Sequence, residues 1–123
     1  MINRRAKGAR TELRAQRELE AAGYLVARAP PGSAFQHHDF FELFDLIAID
    51  TREIRMIQVT SGSSVGVKTR LIDSRESRLP CILGVVYEVW QWRGRRGWRY
   101  LKRGGGPSKW TDSTKCLPAP GTG

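Results

Sequence analysis

Apolar and polar positions along this chain form blocks that predict a helix, three strands, a second helix and two further strands. In the first block Ala15 and Leu19 recur at helical spacing and Gly23 follows, so a helix is expected over residues 7–22. Strands are expected over residues 24–29, 43–50, 53–60, 81–92 and 98–102, and the second helix over residues 65–79. The tight connection Thr51-Arg52 makes the second and third strands antiparallel.

The distribution of small residues sets the expected domain limits. A chain of 123 residues supports one hydrophobic core. From Gly104 onward Gly, Pro and Ser dominate, so residues 1–103 are predicted to fold and residues 104–123 to form a loose tail. No apolar run reaches the ~20 residues of a membrane span, and the basic start does not resemble a secretory signal.

Two cysteines, Cys81 and Cys116, show no spacing typical of a zinc site. Cys81 lies in an apolar run, and we expect it to be a buried thiol. With no predicted membrane segment, these features indicate a cytoplasmic protein in a reducing compartment.

Charge changes the picture, because the net charge of +9 favours a polyanionic partner. The bases cluster at the two ends, as Arg4, Arg5, Lys7 and Arg10, and as Arg93, Arg95 and Arg96 in a predicted turn. Acids concentrate between them over residues 39–53, where Arg52 is the single base. An acidic pocket in a basic protein suits a metal site that acts on phosphates. A solvated basic surface is the alternative interpretation.

Candidate chemistry appears where acids meet the predicted elements. Glu12 lies three residues before Ala15, on the inward side of the first helix, where a carboxylate is costly unless it is paired or binds a metal. A salt-bridging glutamate in the first turns is the alternative. Asp45 begins one strand, and Gln58 and Thr60 end the next. Oxygen ligands held at the edge of a sheet are what a hard divalent cation requires.

The order of these motifs resembles the PD-(D/E)xK nuclease superfamily and, within it, the archaeal-type Holliday junction resolvases with their phage-borne relatives. Lys7-Gly8-Ala9-Arg10-Thr11-Glu12 matches the KGxxxE opening of those resolvases, and Gly23 to Arg28 follows it. Phe44-Asp45-Leu46-Ile47-Ala48 and Ile57-Gln58-Val59-Thr60-Ser61 complete the likeness, which spans residues 4–88.

The resemblance implies an α/β fold, a restriction-endonuclease-like mixed sheet of about five strands flanked by helices. It also implies a Mg²⁺-dependent endodeoxyribonuclease, with Mn²⁺ as a possible substitute, in which Glu12, Asp45 and the residue at Gln58 hold the metal. Two positions depart from the family, which has an acid where Gln58 stands and a lysine where Thr60 stands. The amide of Gln58 remains an oxygen ligand, but Thr60 supplies no positive charge.

Four further positions are candidates for completing such a site. Lys68, in the next helix, is positioned to replace the missing lysine, and Asp39 or Glu42 to complete the metal shell. Ser33 occupies the loop where the resolvases place a serine near the cleaved phosphate.

The same resemblance implies branched DNA as the substrate and a homodimer as the active form. We expect DNA contacts from Arg4, Arg5, Lys7, Arg10, Ser61, Arg93, Arg95 and Arg96. Trp90, Trp92 and Trp98 are expected to form a dimer face, with base stacking and core packing as alternatives. A nuclease acting on flap, nicked or damaged DNA, and a catalytically inactive nucleic-acid-binding relative, are the competing functions.

Overall fold

The structure, a computed structural model, describes residues 4–29, 40–41 and 43–114, with side chains from residue 8 onward. Its helices are α1 (Arg4–Ala21) and α2 (Val65–Asp73), and two short 3₁₀ turns cover Glu76–Arg78 and Gly94–Arg96. The strands are β1 (Leu25–Arg28), β2 (Leu46–Ile49), β3 (Ile54–Ser61), β4 (Val85–Trp92), β5 (Trp98–Arg103) and β6 (Thr111–Asp112). Of the helices in this described part of the chain, none is long and apolar enough to cross a membrane.

The six strands form one mixed sheet in the order β1-β2-β3-β4-β5-β6. Neighbouring strands are antiparallel except β3 and β4, which run parallel because α2 lies in the connection between them. As expected from the short Asp50–Glu53 connection, β2 and β3 are antiparallel.

Each face of the sheet is covered by one helix. Since side chains alternate along a strand, Ile57 and Val59 of β3 point to one face and Met56 to the other. Ile57 and Val59 pack with Ala15 and Leu19 of α1. Met56 packs in a second core that contains residues Val65 and Ile72 of α2.

The three tryptophans of the β4–β5 hairpin belong to the core on the α1 side, so the predicted dimer face is wrong. Trp90 and Trp98 are buried, and their ring centroids lie 5.4 Å apart in an edge-to-face arrangement. Tyr100 packs edge-on against Trp90 at 4.6 Å, and the partly buried Trp92 contacts Trp98 at 5.0 Å. The rings therefore fill the space beneath α1.

An ion pair buried in this core joins β3 to β4. The Arg55 Nε lies 3.4 Å from the Glu88 Oε2 and 2.8 Å from the Glu53 Oε1. The Nε1–H of Trp90 donates to the Glu88 Oε1 at 2.9 Å. Burial raises the pKa of Glu88, and the Arg55 charge opposes that rise.

Several predicted boundaries are corrected by local hydrogen bonding. The expected helix over residues 65–79 ends at Asp73, because the Ser74 hydroxyl donates to the Leu71 carbonyl and the chain tightens into a 3₁₀ turn. The expected strand over residues 81–92 begins only at Val85, since Gly84 adopts a positive φ of 88°. Cys81, expected to be buried, is exposed in the loop before it.

The expectation of a loose tail from Gly104 is wrong for residues 104–114. β6 pairs with β5, and the buried Arg103 guanidinium contacts Asp73, Glu76 and the Gly106 carbonyl. The indole N–H of Trp110 donates to the Asp73 Oδ1 at 2.7 Å. Polar anchors therefore hold this glycine-rich segment against α2, and residues 115–123 lie outside the described part.

Candidate active site

Asp45 is held by backbone hydrogen bonds to both neighbours of Gln58. Its N–H donates to the Ile57 carbonyl at 2.8 Å, and its Oδ2 accepts from the Val59 N–H at 2.8 Å. Leu46 also pairs with Ile57, so two residues of one strand segment face one residue of β3, as in a β-bulge. This arrangement fixes a carboxylate that is only 5% exposed.

Gln58 and Thr60 are both buried on β3, and Thr60 connects that strand to α2. The Thr60 Oγ1 lies 2.6 Å from the Ser64 Oγ, directly before the first residue of α2. The Lys68 N–H donates to the Ser64 carbonyl at 3.1 Å. Because helical side chains lean towards the helix N-terminus, Lys68 extends over the turn that contains Ser64.

Glu12 contacts Arg28, and the residue after Arg28 hydrogen-bonds to the backbone of Asp45. The Arg28 Nε lies 3.4 Å from the Glu12 Oε2, and both side chains are partly buried. The Arg28 Nη2 donates to the Ala9 carbonyl at 3.1 Å, which fixes the guanidinium along α1. The next residue, Ala29, donates its N–H to the Asp45 carbonyl at 2.9 Å. The start of α1, the end of β1 and the residue before β2 therefore converge at one corner of the sheet.

The residue types expected at the metal site offer oxygen atoms that suit a hard divalent cation. Glu12 and Asp45 supply carboxylate oxygens and Gln58 an amide oxygen, which are ligand types that Mg²⁺ accepts. Within the described residues, His, Cys, Asp and Glu form no group of three or more that could hold a metal. Two carboxylates and a neutral amide bind Mg²⁺ more weakly than three acids do.

Part of the expected site lies outside the described residues. Ser33, Asp39 and Glu42 belong to that part, as do the side chains of Arg4, Arg5 and Lys7. Arg10 is exposed on α1, and Ser61 is partly exposed at the end of β3.

The β4–β5 turn presents its arginines unequally. The Arg93 guanidinium donates to the carbonyls of Arg96 at 3.2 Å and of Trp98 at 3.1 Å, so Arg93 braces the turn. Arg95 and Arg96 are exposed at its tip. Of the three arginines of this turn that were expected to contact DNA, Arg95 and Arg96 have the accessible side chains.

Arg28 is the residue of this corner to which the sequence pattern gave no role. Its signal was a base at the end of the apolar run Leu25-Val26-Ala27, directly before the Pro30-Pro31 loop. Only the packing of α1 against β1 shows that this base pairs with Glu12.

No protein-family model and no curated protein matches this chain. The structure is similar to that of Hjc from Archaeoglobus fulgidus, a Holliday junction resolvase from an archaeal hyperthermophile. The two share a TM-score of 0.52 and 20% sequence identity over 76% of this chain and 74% of the other. At this identity the likeness establishes the fold, and it confirms the predicted class: a restriction-endonuclease-like α/β fold with a mixed sheet flanked by helices.

Proposed function

We propose that this protein is a Mg²⁺-dependent endonuclease that resolves four-way DNA junctions by paired phosphodiester hydrolysis. The observation that carries the proposal is that Arg28, which pairs with Glu12, directly precedes Ala29, whose N–H donates to the Asp45 carbonyl. The fold shared with the archaeal resolvase and the net charge of +9 support it.

In this proposal Asp45, Glu12 and the amide oxygen of Gln58 hold the cation. A bound Mg²⁺ would polarise the scissile phosphate and lower the pKa of the attacking water. The hydrogen bond from the Val59 N–H keeps the Asp45 carboxylate in place, so the ligand does not have to reorganise when the metal arrives.

Two basic residues are candidates for offsetting the negative charge on the phosphate, because Thr60 carries no positive charge. Arg28 already contacts Glu12, and its planar guanidinium is suited to phosphate oxygens. Lys68 projects from α2 over the turn beside Thr60. Arg28 is the stronger candidate, because its contact with Glu12 places it at the carboxylate corner itself.

The homodimer that paired cutting requires would use a different surface from the tryptophans. A groove of about 640 Å³ on the α2 side is lined mainly by apolar residues, among them Phe41, Met56 and Ile82. Phe41 is 75% exposed with a φ of 55°, a conformation that bulky residues rarely adopt, and Leu83 next to Ile82 is fully exposed.

We assign this groove to a second copy of the chain. A two-fold contact needs protruding apolar side chains and a groove on the same face. Each copy can then insert its side chains into the groove of the other. Two catalytic corners related by a two-fold axis would suit two symmetry-related cuts.

A catalytically inactive nucleic-acid-binding relative is the second candidate. The observation that favours it is the replacement of the family acid and lysine by Gln58 and Thr60.

One assay separates these functions. Labelled four-way junction, flap, nicked duplex, intact duplex and single strand are incubated with Mg²⁺, with Mn²⁺ or with EDTA. Symmetric cuts near the branch point that require a metal are expected. Cleavage of flaps or nicked DNA alone would assign the other nuclease activity, and binding without cleavage in every metal would assign the inactive relative.

A further inference from the structure

A row of arginines follows the outward side of α1, away from the Glu12 corner. Arg10, Arg14 and Arg17 are exposed and stand at positions i, i+4 and i+7, which brings them to one side of the helix. At about 1.5 Å of rise per residue, the row extends over about 10 Å. Two exposed acids flank this row, Glu18, which interacts with Arg14, and Glu20, three residues after Arg17.

The row is joined to the sheet by a contact between Arg14 and Trp92. The Arg14 Cζ lies 4.1 Å from the centroid of the Trp92 ring, and Trp92 packs in turn on Trp98. A guanidinium over an indole ring is held by a cation–π interaction of about 0.5 to 1 kcal/mol at exposed sites. Arg14 is therefore positioned by the protein while its side chain stays accessible.

The same surface continues into the β4–β5 turn. Trp92 is followed by the turn that Arg93 braces through the carbonyls of Arg96 and Trp98. Arg95 and Arg96 are exposed on this braced turn. Trp92 also pairs with Ser61 at the end of β3. The surface therefore lies next to the end of β3 that carries Thr60.

We infer that Arg10, Arg14, Arg17, Arg95 and Arg96 form a second phosphate-binding surface that holds a duplex arm of the DNA beside the cleavage corner. The inference rests on the proposed function in taking DNA as the partner. Exposed guanidinium groups on two rigid elements suit contacts with successive phosphates, which fix position and do not read sequence. The ring of Trp92 lies under the Arg14 guanidinium and holds it in position.

The salt dependence of binding tests this surface without any need for cleavage. Binding of a four-way junction and of a plain duplex is measured by fluorescence anisotropy in EDTA at several salt concentrations. Each phosphate contact that is lost should reduce the slope of log K against log salt by about 0.9. Arg14→Gln and Arg17→Gln should each show that loss, and the double variant about twice it.

Arg70→Gln is the matched control, because Arg70 is an exposed arginine on α2, on the opposite face of the sheet. Its slope should stay at the wild-type value, and Arg14→Lys should retain most of the wild-type slope because it keeps the charge. Wild-type slopes in both Arg14→Gln and Arg17→Gln would overturn the inference, whatever their effect on thermal stability.

Trp92 gives an independent measurement. Trp92→Phe retains an aromatic ring under Arg14 and should keep the wild-type slope of log K against log salt. Trp92→Leu should reduce that slope by about 0.9, as Arg14→Gln should. DNA should quench the emission of the wild-type protein more than that of Trp92→Phe, and equal quenching would count against the surface. A protein that binds DNA but cuts no substrate would refute the nuclease proposal. The salt dependence of binding by the variants would still decide whether the phosphate-binding surface exists.

Discussion

At the scale of single residues, the chemistry of the candidate site depends on which atoms the side chains next to Asp45 offer. Gln58 lies between Ile57 and Val59, the two β3 residues that hydrogen-bond to Asp45. A glutamine instead of an acid at this position therefore changes the charge next to the Asp45 carboxylate. Thr60 is engaged with Ser64 and contributes to the junction of β3 with α2. In the proposed mechanism a base from another element, Arg28 or Lys68, offsets the phosphate charge.

Asp45→Asn should abolish junction cutting and leave junction binding unchanged or tighter. The amide oxygen can still accept from the Val59 N–H, so the fold is retained, while the metal loses a charged ligand. We expect cleavage to fall by more than about 100-fold, since residues that only orient metal ligands already cost about 10- to 100-fold. Single-turnover cleavage with Mg²⁺ and anisotropy in EDTA measure the two effects. Undiminished cutting would remove Asp45 from the mechanism.

Gln58→Glu should leave cleavage equal or raise it, because a third carboxylate strengthens Mg²⁺ binding. The Mg²⁺ concentration that gives half-maximal cleavage should fall in this variant. Titration of Mg²⁺ against the cleavage rate measures the change, with Gln91→Glu as a control on the neighbouring strand. A large drop in rate would show that the neutral amide has a specific role.

At the scale of secondary-structure elements, the parallel pair of β3 and β4 organises the molecule. Its register places Ser61 beside Trp92, so the candidate site and the basic turn lie at the same edge of the sheet. The buried pair of Arg55 and Glu88 connects these two strands on the α1 side. Stability of the site therefore depends on a contact that takes no part in the proposed chemistry.

Glu88→Ala should destabilise the protein by about 3 kcal/mol, since it removes one partner of a buried ion pair and leaves Arg55 less compensated. Urea unfolding monitored by tryptophan fluorescence measures this loss. Asp112→Ala is a suitable comparison, because its ion pair with Arg99 is exposed and should contribute no more than about 1 kcal/mol. Equal stabilities of the two variants would contradict the importance of the buried pair.

At the scale of the whole molecule, the two faces of the sheet have different surfaces. The α1 side carries the row of Arg10, Arg14 and Arg17, and the α2 side carries the apolar groove next to Leu83, with Arg70 exposed on α2. This division suits a protein that meets DNA with one side and a second copy of itself with the other.

Leu83→Asp should weaken self-association by more than about 10-fold, because it places a charge beside the apolar groove of the proposed contact. Sedimentation equilibrium measures the dimer dissociation constant. Junction cleavage should change from paired cuts to single nicks. Leu25→Asp is the matched control, since Leu25 is an exposed leucine on β1, outside the groove. A monomeric wild-type protein would refute the dimer.

The sequence by itself determined the elements and the type of sheet. Apolar periodicity placed α1 and five of the strands, and the short turn after Ile49 set the antiparallel pairing of β2 with β3. The spacing of the apolar residues follows from local geometry, since a helix or strand must turn its apolar side towards the core, whichever element packs against it. Glu12 stood out as a carboxylate on the inward side of a predicted helix, and Asp45 and Gln58 as polar residues at the ends of predicted strands.

Tertiary structure decided which of these residues meet. The contact of Arg28 with Glu12, the burial of Trp90 and Trp98 under α1, and the anchoring of Trp110 by Asp73 join segments distant in sequence. Such contacts depend on the packing of one element against another, and no periodicity within a single segment encodes them. The exposure of Cys81 and the extra strand β6 follow in the same way from where neighbouring segments pack.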